Sequence, residues 1–314
     1  MVELTQFFRA PTIKPDMPNA RDLLRKERPV FSVITPVFNG TRFVHRCYST
    51  LKGQTFHDWE WVIVDDGSTD GTANAVRDID DSRIKLISYS PNRGRGFARM
   101  TALDASAGEW MVVWDIDDLY FPDRLEQINE SRLEGYDFCC SYAVVVTNEL
   151  KIKGVRGFHP KSFWLPRYFV HHTLGCRMEI ARKIGYDPKI RVAEDATITW
   201  ALDDNYRGRY IDEALTIYQE DAEVNLEKAI ACNLSQLEQL HKMYEQGLLK
   251  SNAVRYSLLR VRWAVKLAVL KMMRISPSLY SVTTVRLRSY GQTAANWRLG
   301  RDRLAFINRF RSVD

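Results

Sequence analysis

An α/β fold, built on a mostly parallel central sheet with helices on both faces and followed by a C-terminal helical extension, is predicted by three observations. Short apolar runs alternate with helix-compatible stretches from Pro29 to about Leu125. Those runs lack the polar/apolar alternation of a half-exposed strand, so they suit strands buried on both faces. The loops between them are short, and repeated strand–helix–strand units with short loops assemble a parallel sheet.

Taken in order, residues 1–28 read as an irregular N-terminal arm in which Pro11, Pro15 and Pro18 prevent a long helix. Residues 30–35 are a β-type run ended by Pro36, and Thr41 is placed to cap a helix reaching Lys52. Residues 59–64 form a second buried strand. The turn-rich Asp65-Asp66-Gly67-Ser68-Thr69-Asp70-Gly71-Thr72 then hands over to a helix. A third strand is expected at 84–88 and a helix at 96–107, leading into a central strand at 110–114. Residues 136–146 are a further apolar run, 151–163 a loop or hairpin, and 177–184 a helix. Glu194-Asp195 opens another helix; two acids in a first turn also suit the helix dipole.

The stretch 109–122, EWMVVWDIDDLYFP, places Asp115, Asp117 and Asp118 where the central strand must end. Three carboxylates within four residues repel one another. Gathered at the mouth of a buried strand, they call for a hard divalent cation and a phosphate-bearing ligand. A solvated turn opening the helix after Pro122 is the plainer alternative. Open α/β sheets bind ligands beyond the C-terminal ends of their strands. Four successive strand ends deliver polar groups there: Thr35, Pro36, Phe38 and Asn39; Asp65, Asp66 and Ser68; Asn92 and Arg93; then the three aspartates.

Composition narrows the classes. At 45% apolar and 27% charged residues the chain is ordinary for a soluble globular protein. The net charge of +6 is unevenly placed: residues 251–314 carry 13 Lys and Arg against 2 Asp and Glu, or +11, leaving the first 250 at −5. Five cysteines, with Cys139 and Cys140 adjacent in an apolar run and no CxxC pair, point to reduced core thiols and a cytoplasmic home. The first 30 residues lack the apolar core of a secretory signal. The most apolar long stretch, 253–275, holds six Arg and Lys, too many for a bilayer interior.

The motifs carry a family resemblance. FSVITPVFNG at 31–40, QTFHDWEWVIVDDGSTDGT at 54–72, PNRGRGFARMTALDASAGEW at 91–110 and WDIDDLYFPDRL at 114–125 resemble the nucleotide-sugar-binding half of the family 2 glycosyltransferases, which have the GT-A fold. With Glu194-Asp195, the resemblance covers roughly residues 30–220. It implies a GT-A catalytic domain at 29–221, divided into a nucleotide-sugar-binding half at 29–125 and an acceptor-binding half at 126–221, followed by a basic helical region at 222–314.

The resemblance also implies roles. A nucleoside diphosphate sugar, a UDP-sugar first, would be the donor. Phe38, Asn39 and the backbone near Thr35 and Pro36 would surround the base, Asp66 would accept the uracil N–H, and Asp65 would fix the loop. Arg93, if it faces the cleft, would stand beside the phosphates. Asp115 would lie toward the ribose and Asp117 would hold Mn²⁺ or Mg²⁺, with Asp118 sharing or exchanging these roles. That ion would stabilise the departing diphosphate. Asp195 would be the general base of an inverting displacement, with Glu194 assisting its orientation. His172 and Thr173 fall on the acceptor side. There His172 reads either as a metal or acceptor contact or as a histidine packed at a strand end. One departure stands out: relatives often follow a Tyr with Arg where this chain has Tyr218-Gln219, so a cation near the phosphates is missing or comes from elsewhere.

Beyond Asp221, long helical patterns cover 224–248 and 252–274, and Pro277 ends the second. Arg286, Arg288, Arg298, Arg301, Arg303, Arg309 and Arg311 then alternate with Trp297, Leu304, Phe306, Ile307 and Phe310. This mixture suits an anionic membrane surface, where a lipid-linked acceptor would reside, and equally a helical cover or a dimer contact. Nucleic acid is a poorer partner, because an acidic cleft repels phosphates and no recognition motif is present. A sugar-nucleotide nucleotidyltransferase would need a basic Gly-rich loop after the first strand, which TPVFNGTRF lacks. The remaining competitor is a catalytically silent glycan-binding or scaffold protein on the same fold. The expectation is therefore a metal-dependent inverting glycosyltransferase acting on a glycan or lipid-linked acceptor in bacterial surface polysaccharide synthesis, cytoplasmic or peripheral on the inner membrane face.

Overall fold

The computed structural model describes residues 28–158, 169–220, 226–249, 253–275 and 301–311. The expected N-terminal arm, apart from Arg28, and Arg286, Arg288, Trp297 and Arg298 of the tail lie outside the described residues. In chain order the elements are β1 (Phe31–Val37), α1 (Thr41–Lys52), β2 (Trp59–Asp66), α2 (Thr72–Arg77), β3 (Ile84–Tyr89), α3 (Arg95–Ala105), β4 (Trp110–Val113), β5 (Leu119–Tyr120), α4 (Arg124–Leu133), β6 (Phe138–Val146), β7 (Ile152–Arg156), β8 (Gly175–Arg177), α5 (Met178–Ile184), α6 (Ala196–Asn205), β9 (Gly208–Gln219), α7 (Leu226–Glu245), α8 (Ala253–Met272) and α9 (Arg301–Arg311). A 3₁₀ turn, His171–Thr173, precedes β8, and another, Met273–Ile275, follows α8.

One sheet runs β3-β2-β1-β4-β8-β6-β9-β5, with β7 hydrogen-bonded to β6. Its first four strands are parallel, as the alternation predicts. The second half is mixed: β8 is antiparallel to both β4 and β6, β5 is antiparallel to β9, and β6 and β9 are parallel. The short β5, folded back against β9, and the short β8 carried no periodicity in the sequence, which is why the sheet read as more parallel than it is. β1 also runs through Pro36 rather than ending before it. Its pairing with β4 stops at Ile34–Val113 while that with β2 continues to Val37–Asp65, so the missing proline N–H interrupts no bond to β4.

The apolar runs bury both faces. Phe31, Val33, Trp110, Val112 and Trp114 pack with Leu51 and Cys47 on one side of the sheet. Ile34, Met111 and Val113, from the same two strands, pack with Ala98, Ala102 and Leu103 of α3 on the other. A fully buried aliphatic side chain stabilises a fold by about 1.5–3 kcal/mol, so alternate residues of one strand hold two helical layers. Cys47, Cys139, Cys140 and Cys176 are buried and form no disulfide, and Cys232 is half-buried.

The tail divides. Ile307 of α9 is 1% exposed and packs with Phe306 and Phe310 against Leu119, Phe121 and Val144. Arg303 reaches Asp123, Glu213 and the carbonyl of Ala214. α9 therefore covers the catalytic sheet. α7 and α8 instead form a helical pair joined by stacked Tyr244 and Tyr256, with ring centroids 3.9 Å apart. Among the described residues no helix is long and apolar enough to cross a membrane.

Candidate functional site

The C-terminal ends of β1, β2 and β4 open into a cavity of about 740 Å³, lined among others by Pro36, Phe38, Asp66, Asp115, Asp117, His172, Glu194 and Asp195. Two loops are tied together at its entrance. Asp66 accepts hydrogen bonds from the backbone N–H groups of Arg93, at 2.7 Å, and Gly94, at 2.8 Å. Gly67 has φ +79°, and a Cβ there would come within 2.8 Å of the Asn92 nitrogen, so the close approach of the two loops requires glycine. Asp65 fixes its own loop by accepting from the Ser68 N–H and the Ser88 hydroxyl, each at 3.0 Å.

Several expected donor contacts have structural duties. The Thr35 hydroxyl is buried and accepts from Trp61 Nε1 at 2.8 Å. Asn39, at φ +53°, accepts from the Thr69 N–H and donates its own N–H to the Ser68 hydroxyl. Neither side chain lines the cavity, whereas Phe38 does and is 51% exposed. Arg93 does not face the cleft. Its guanidinium sits 3.4 Å from the centroid of the Phe97 ring, and the cavity is lined instead by Arg95, Arg99, Arg156 and Arg191. Sequence position alone cannot separate Arg93, Arg95 and Arg99, three arginines within seven residues, or bring Arg156 and Arg191 to them from distant parts of the chain.

The three aspartates have three environments. Asp115 pairs with the buried Arg99 at 2.9 Å. Burial alone would raise its pKa, but the guanidinium holds it below the usual carboxylate range. Asp117 is exposed to the cavity, and the desolvation of that recess together with neighbouring Asp115 raises its pKa. Asp118 is buried, and desolvation followed by Asp117 and Asp115 pushes it well up. His172 Nδ1 lies 3.2 Å from Asp118 Oδ2, and its ring stacks on Tyr218 at 4.9 Å. Burial lowers the His172 pKa to about 3, so the imidazole is neutral. Ligand atoms of Asp115, Asp118 and His172 all lie within 4.8 Å of one another. Asp118 Oδ2 and His172 Nε2 are buried without a hydrogen-bond donor or acceptor. Two carboxylates and a neutral imidazole converging with unsatisfied atoms fit a divalent cation. Asp117, the expected ligand, is outside that cluster. Thr173 is buried, donates to the Val170 carbonyl at 2.7 Å and does not reach the cavity.

On the acceptor side, Asp195 stands at the N-cap of α6 without a side-chain capping bond, which leaves its carboxylate for other work. Burial, then the neighbouring Glu194, raises its pKa to about 6. Glu194 is 3% exposed and lies 3.5 Å from Arg99 and 3.4 Å from Arg95. Arg99 thus bridges the carboxylate at the end of β4 and the one before α6, a link the sequence reading missed. Its only sequence signal was its place in FARMTAL, one turn into a helix that opens on the cleft.

The turn carrying Asp195 is held from outside the sheet. Ala193 has φ +54°, a strained conformation for a residue with a Cβ. Gln239 of α7, 1% exposed, donates to the Ala193 carbonyl at 2.8 Å and accepts from the Thr197 hydroxyl at 2.8 Å. Ser235 donates to the Val192 carbonyl at 2.8 Å. Lys228, Cys232 and Gln236, on the same row of α7, line the cavity. The C-terminal helical region therefore completes the site.

The departure at Tyr218-Gln219 also has a structural counterpart. Gln219 accepts from Arg46 of α1 and uses its backbone N–H on Asp118 at 3.3 Å. Arg156 of β7 lies 5.2 Å from the Tyr218 ring centroid, bonds Glu220 and lines the cavity. A cation thus approaches from a different strand.

Comparison with known proteins gives the same picture. Residues 32–185 match the family described as Glycosyl transferase family 2. The chain is 35% identical over 147 residues to the Escherichia coli UDP-Glc:alpha-D-GlcNAc-diphosphoundecaprenol beta-1,3-glucosyltransferase WfgD, an alignment that covers 46% of this chain and 57% of that one. The chain therefore spans little more than half the length of that relative. The fold resembles S. aureus TarS 1-349 in complex with UDP-GlcNAc, with a TM-score of 0.57 at 21% identity over 74% of this chain and 71% of TarS. It also resembles the Pyrobaculum calidifontis mannosyltransferase PcManGT in complex with GDP-Man and Mn²⁺, with a TM-score of 0.56 at 16% identity, covering 90% and 85% of the two chains.

Proposed function

We propose that this chain, a glycosyltransferase belonging to family 2 through its residues 32–185, is an inverting, metal-dependent enzyme that moves a hexose from UDP to a glycan or lipid-linked acceptor of a bacterial surface polysaccharide, on the inner face of the membrane. The observation that carries this reading is a cavity lined both by Asp115 and His172, two members of a cation-ready cluster completed by the buried Asp118, and by a carboxylate, Asp195, with its pKa at about 6.

In this reading Phe38 offers a ring to the base, and Asp66, already engaged by the Arg93 and Gly94 N–H groups, shapes the base-binding loop and faces the uracil edge. Asp118 and His172 would hold Mn²⁺ or Mg²⁺, with Asp115, oriented by Arg99, as a third carboxylate or a ribose contact. Asp117, open in the cavity, would be free to share in holding the ion or the donor. The bound ion would neutralise charge on the departing diphosphate. Asp195 takes the proton from the acceptor hydroxyl as that oxygen bonds to the anomeric carbon and the sugar–phosphate bond breaks. One displacement on the face opposite the leaving group inverts the configuration. Arg99, Arg95 and Arg156 supply positive charge around the cavity, and Glu194, fixed by Arg99, holds its neighbour's turn. UDP in the TarS complex supports a uridine donor, and GDP-Man in PcManGT makes guanosine the control.

The test is calorimetric titration of UDP, GDP and dTDP into the full chain, with Mn²⁺ and with chelator. Metal-dependent binding of UDP alone is expected. Preference for GDP would overturn the donor assignment, and binding unaffected by chelator would overturn the metal.

A further inference from the structure

α8 presents two different faces. Toward the protein, Tyr256 and Leu259 pack with Leu240 and Met243 of α7, and Leu270 packs with Ile230. Trp263 stacks with Trp200 at 5.9 Å, and Tyr256 Oη bonds His241 Nδ1 at 2.8 Å. These contacts fix the rotation of the helix about its axis. Away from the protein, Val254, Val261, Val265 and Met272 are 64%, 61%, 57% and 62% exposed. At 100° per residue they fall within about 40° of one another, a stripe about 27 Å long. Arg260 and Lys271 on one side and Arg262 and Lys266 on the other lie about 80–120° around the helix from it, all four exposed, with the Lys266 ammonium also 4.4 Å from the Trp263 ring centroid. Between Ala253 and Met272 there is no Asp or Glu.

A protein interior would cover such a stripe, and a soluble surface would break it with charge. The flanks decide between occupants. Two copies of this helix laid face to face would set cations against cations along both flanks, with no acid on either to answer them. An anionic surface meets every one of those cations with an opposite charge. We infer that the exposed face of α8 is an interfacial anchor that lies flat on an anionic phospholipid bilayer, its valines and Met272 among the acyl chains and its four cations at the headgroups. α7, which shows one row of side chains to the cavity and another to α8, is the spacer. α7 thereby links the anchored helix to the cavity wall, an arrangement suited to an acceptor displayed on a lipid diphosphate. α9 is held elsewhere: its Phe306, Ile307 and Phe310 pack on the sheet and its Arg303 pairs with Asp123 and Glu213. The inference deepens the membrane side of the proposed function, but the binding itself requires no turnover.

Co-sedimentation of the full chain with phosphatidylcholine vesicles, with and without phosphatidylglycerol, tests it. The wild type is expected on the anionic vesicles and to leave them as salt rises. Val261→Asp and Val265→Asp together should lower the vesicle partition about tenfold or more, with UDP binding and the circular dichroism spectrum unchanged. Replacing Arg260, Arg262, Lys266 and Lys271 by Gln should abolish the preference for anionic over neutral vesicles. Equal binding of wild type and the valine variant would overturn the anchor. So would a wild-type dimer that the valine variant converts to a monomer. A chain that binds vesicles without transferring sugar would sink the enzymatic reading alone, and one that transfers sugar to a soluble acceptor without binding vesicles would sink only the anchor.

Discussion

Nδ1 of His172 lies 3.2 Å from Oδ2 of Asp118, with both side chains buried and Nε2 of the ring unbonded. A neutral imidazole beside carboxylates in a low-dielectric recess is an arrangement that a divalent cation satisfies better than a proton does. In the absence of nucleotide, Asp118→Asn and His172→Ala should each weaken Mn²⁺ binding about tenfold or more, measured by the paramagnetic resonance signal of free Mn²⁺. Asp117→Ala should leave that affinity near wild type yet depress turnover. Equal losses for Asp117 and Asp118 would move the ion outward to the cavity side.

Asp195 has its pKa raised to about 6, chiefly by burial. A general base works deprotonated, so turnover should rise with pH through about 6 and then level. Asp195→Asn should lower the rate by about 10²–10⁴ and remove that rise while UDP binding persists. The same shift makes the folded state hold this proton more tightly than the unfolded chain does. Its contribution to stability is therefore full in acid and declines as pH climbs from 3.8 to about 6. A flat pH–rate profile across that interval would remove Asp195 from the proton transfer.

Arg99 lies between Asp115, at 2.9 Å, and Glu194, at 3.5 Å; Arg99 and Glu194 are buried and Asp115 is partly exposed to the cavity. Arg99→Leu leaves two carboxylates without their cation. Removing one partner of a buried ion pair costs about 3–5 kcal/mol. Urea denaturation should show a loss of that order. A variant as stable as wild type would mean that the carboxylates find another cation, with Arg95 the first candidate.

Gln239 clamps Ala193 and Thr197 on either side of Asp195, so under the proposed function it would position the base through its turn. Gln239→Leu should reduce kcat about tenfold to a hundredfold, the scale of a small misplacement at a reacting group. The UDP dissociation constant should not move. Parallel loss of UDP affinity would instead indicate general disruption of the cavity.

Ile307 fills a pocket of Leu119, Phe121 and Val144 across the sheet edge. Ile307→Ala should destabilise the fold by about 2–5 kcal/mol, read from the urea midpoint. No change would mean that α9 rests on the sheet without stabilising it.

The sequence by itself determined the parallel half of the sheet and the identity of the strand ends. Runs such as Trp110–Val113 are apolar at every position, and only a strand covered on both faces uses all of them. The carboxylates at 115–118 and 194–195 were legible for the same kind of reason, since crowded acids next to apolar elements have few structural uses. Where each acid stands is a property of the three-dimensional fold. Asp117 and Asp118 are consecutive, yet the turn after β4 sends one into the cavity and the other under His172, which arrives from a 3₁₀ turn more than fifty residues later. Arg99, Arg156 and Gln239 were invisible for that reason: each acts across the sheet or from another layer, on a partner that local periodicity cannot reveal. The basic tail was read from its composition as one region. Packing separates it into α9, whose apolar side chains cover the sheet, and α8, whose apolar stripe is left facing solvent, because burial depends on what lies opposite a helix face and not on the residues that make it.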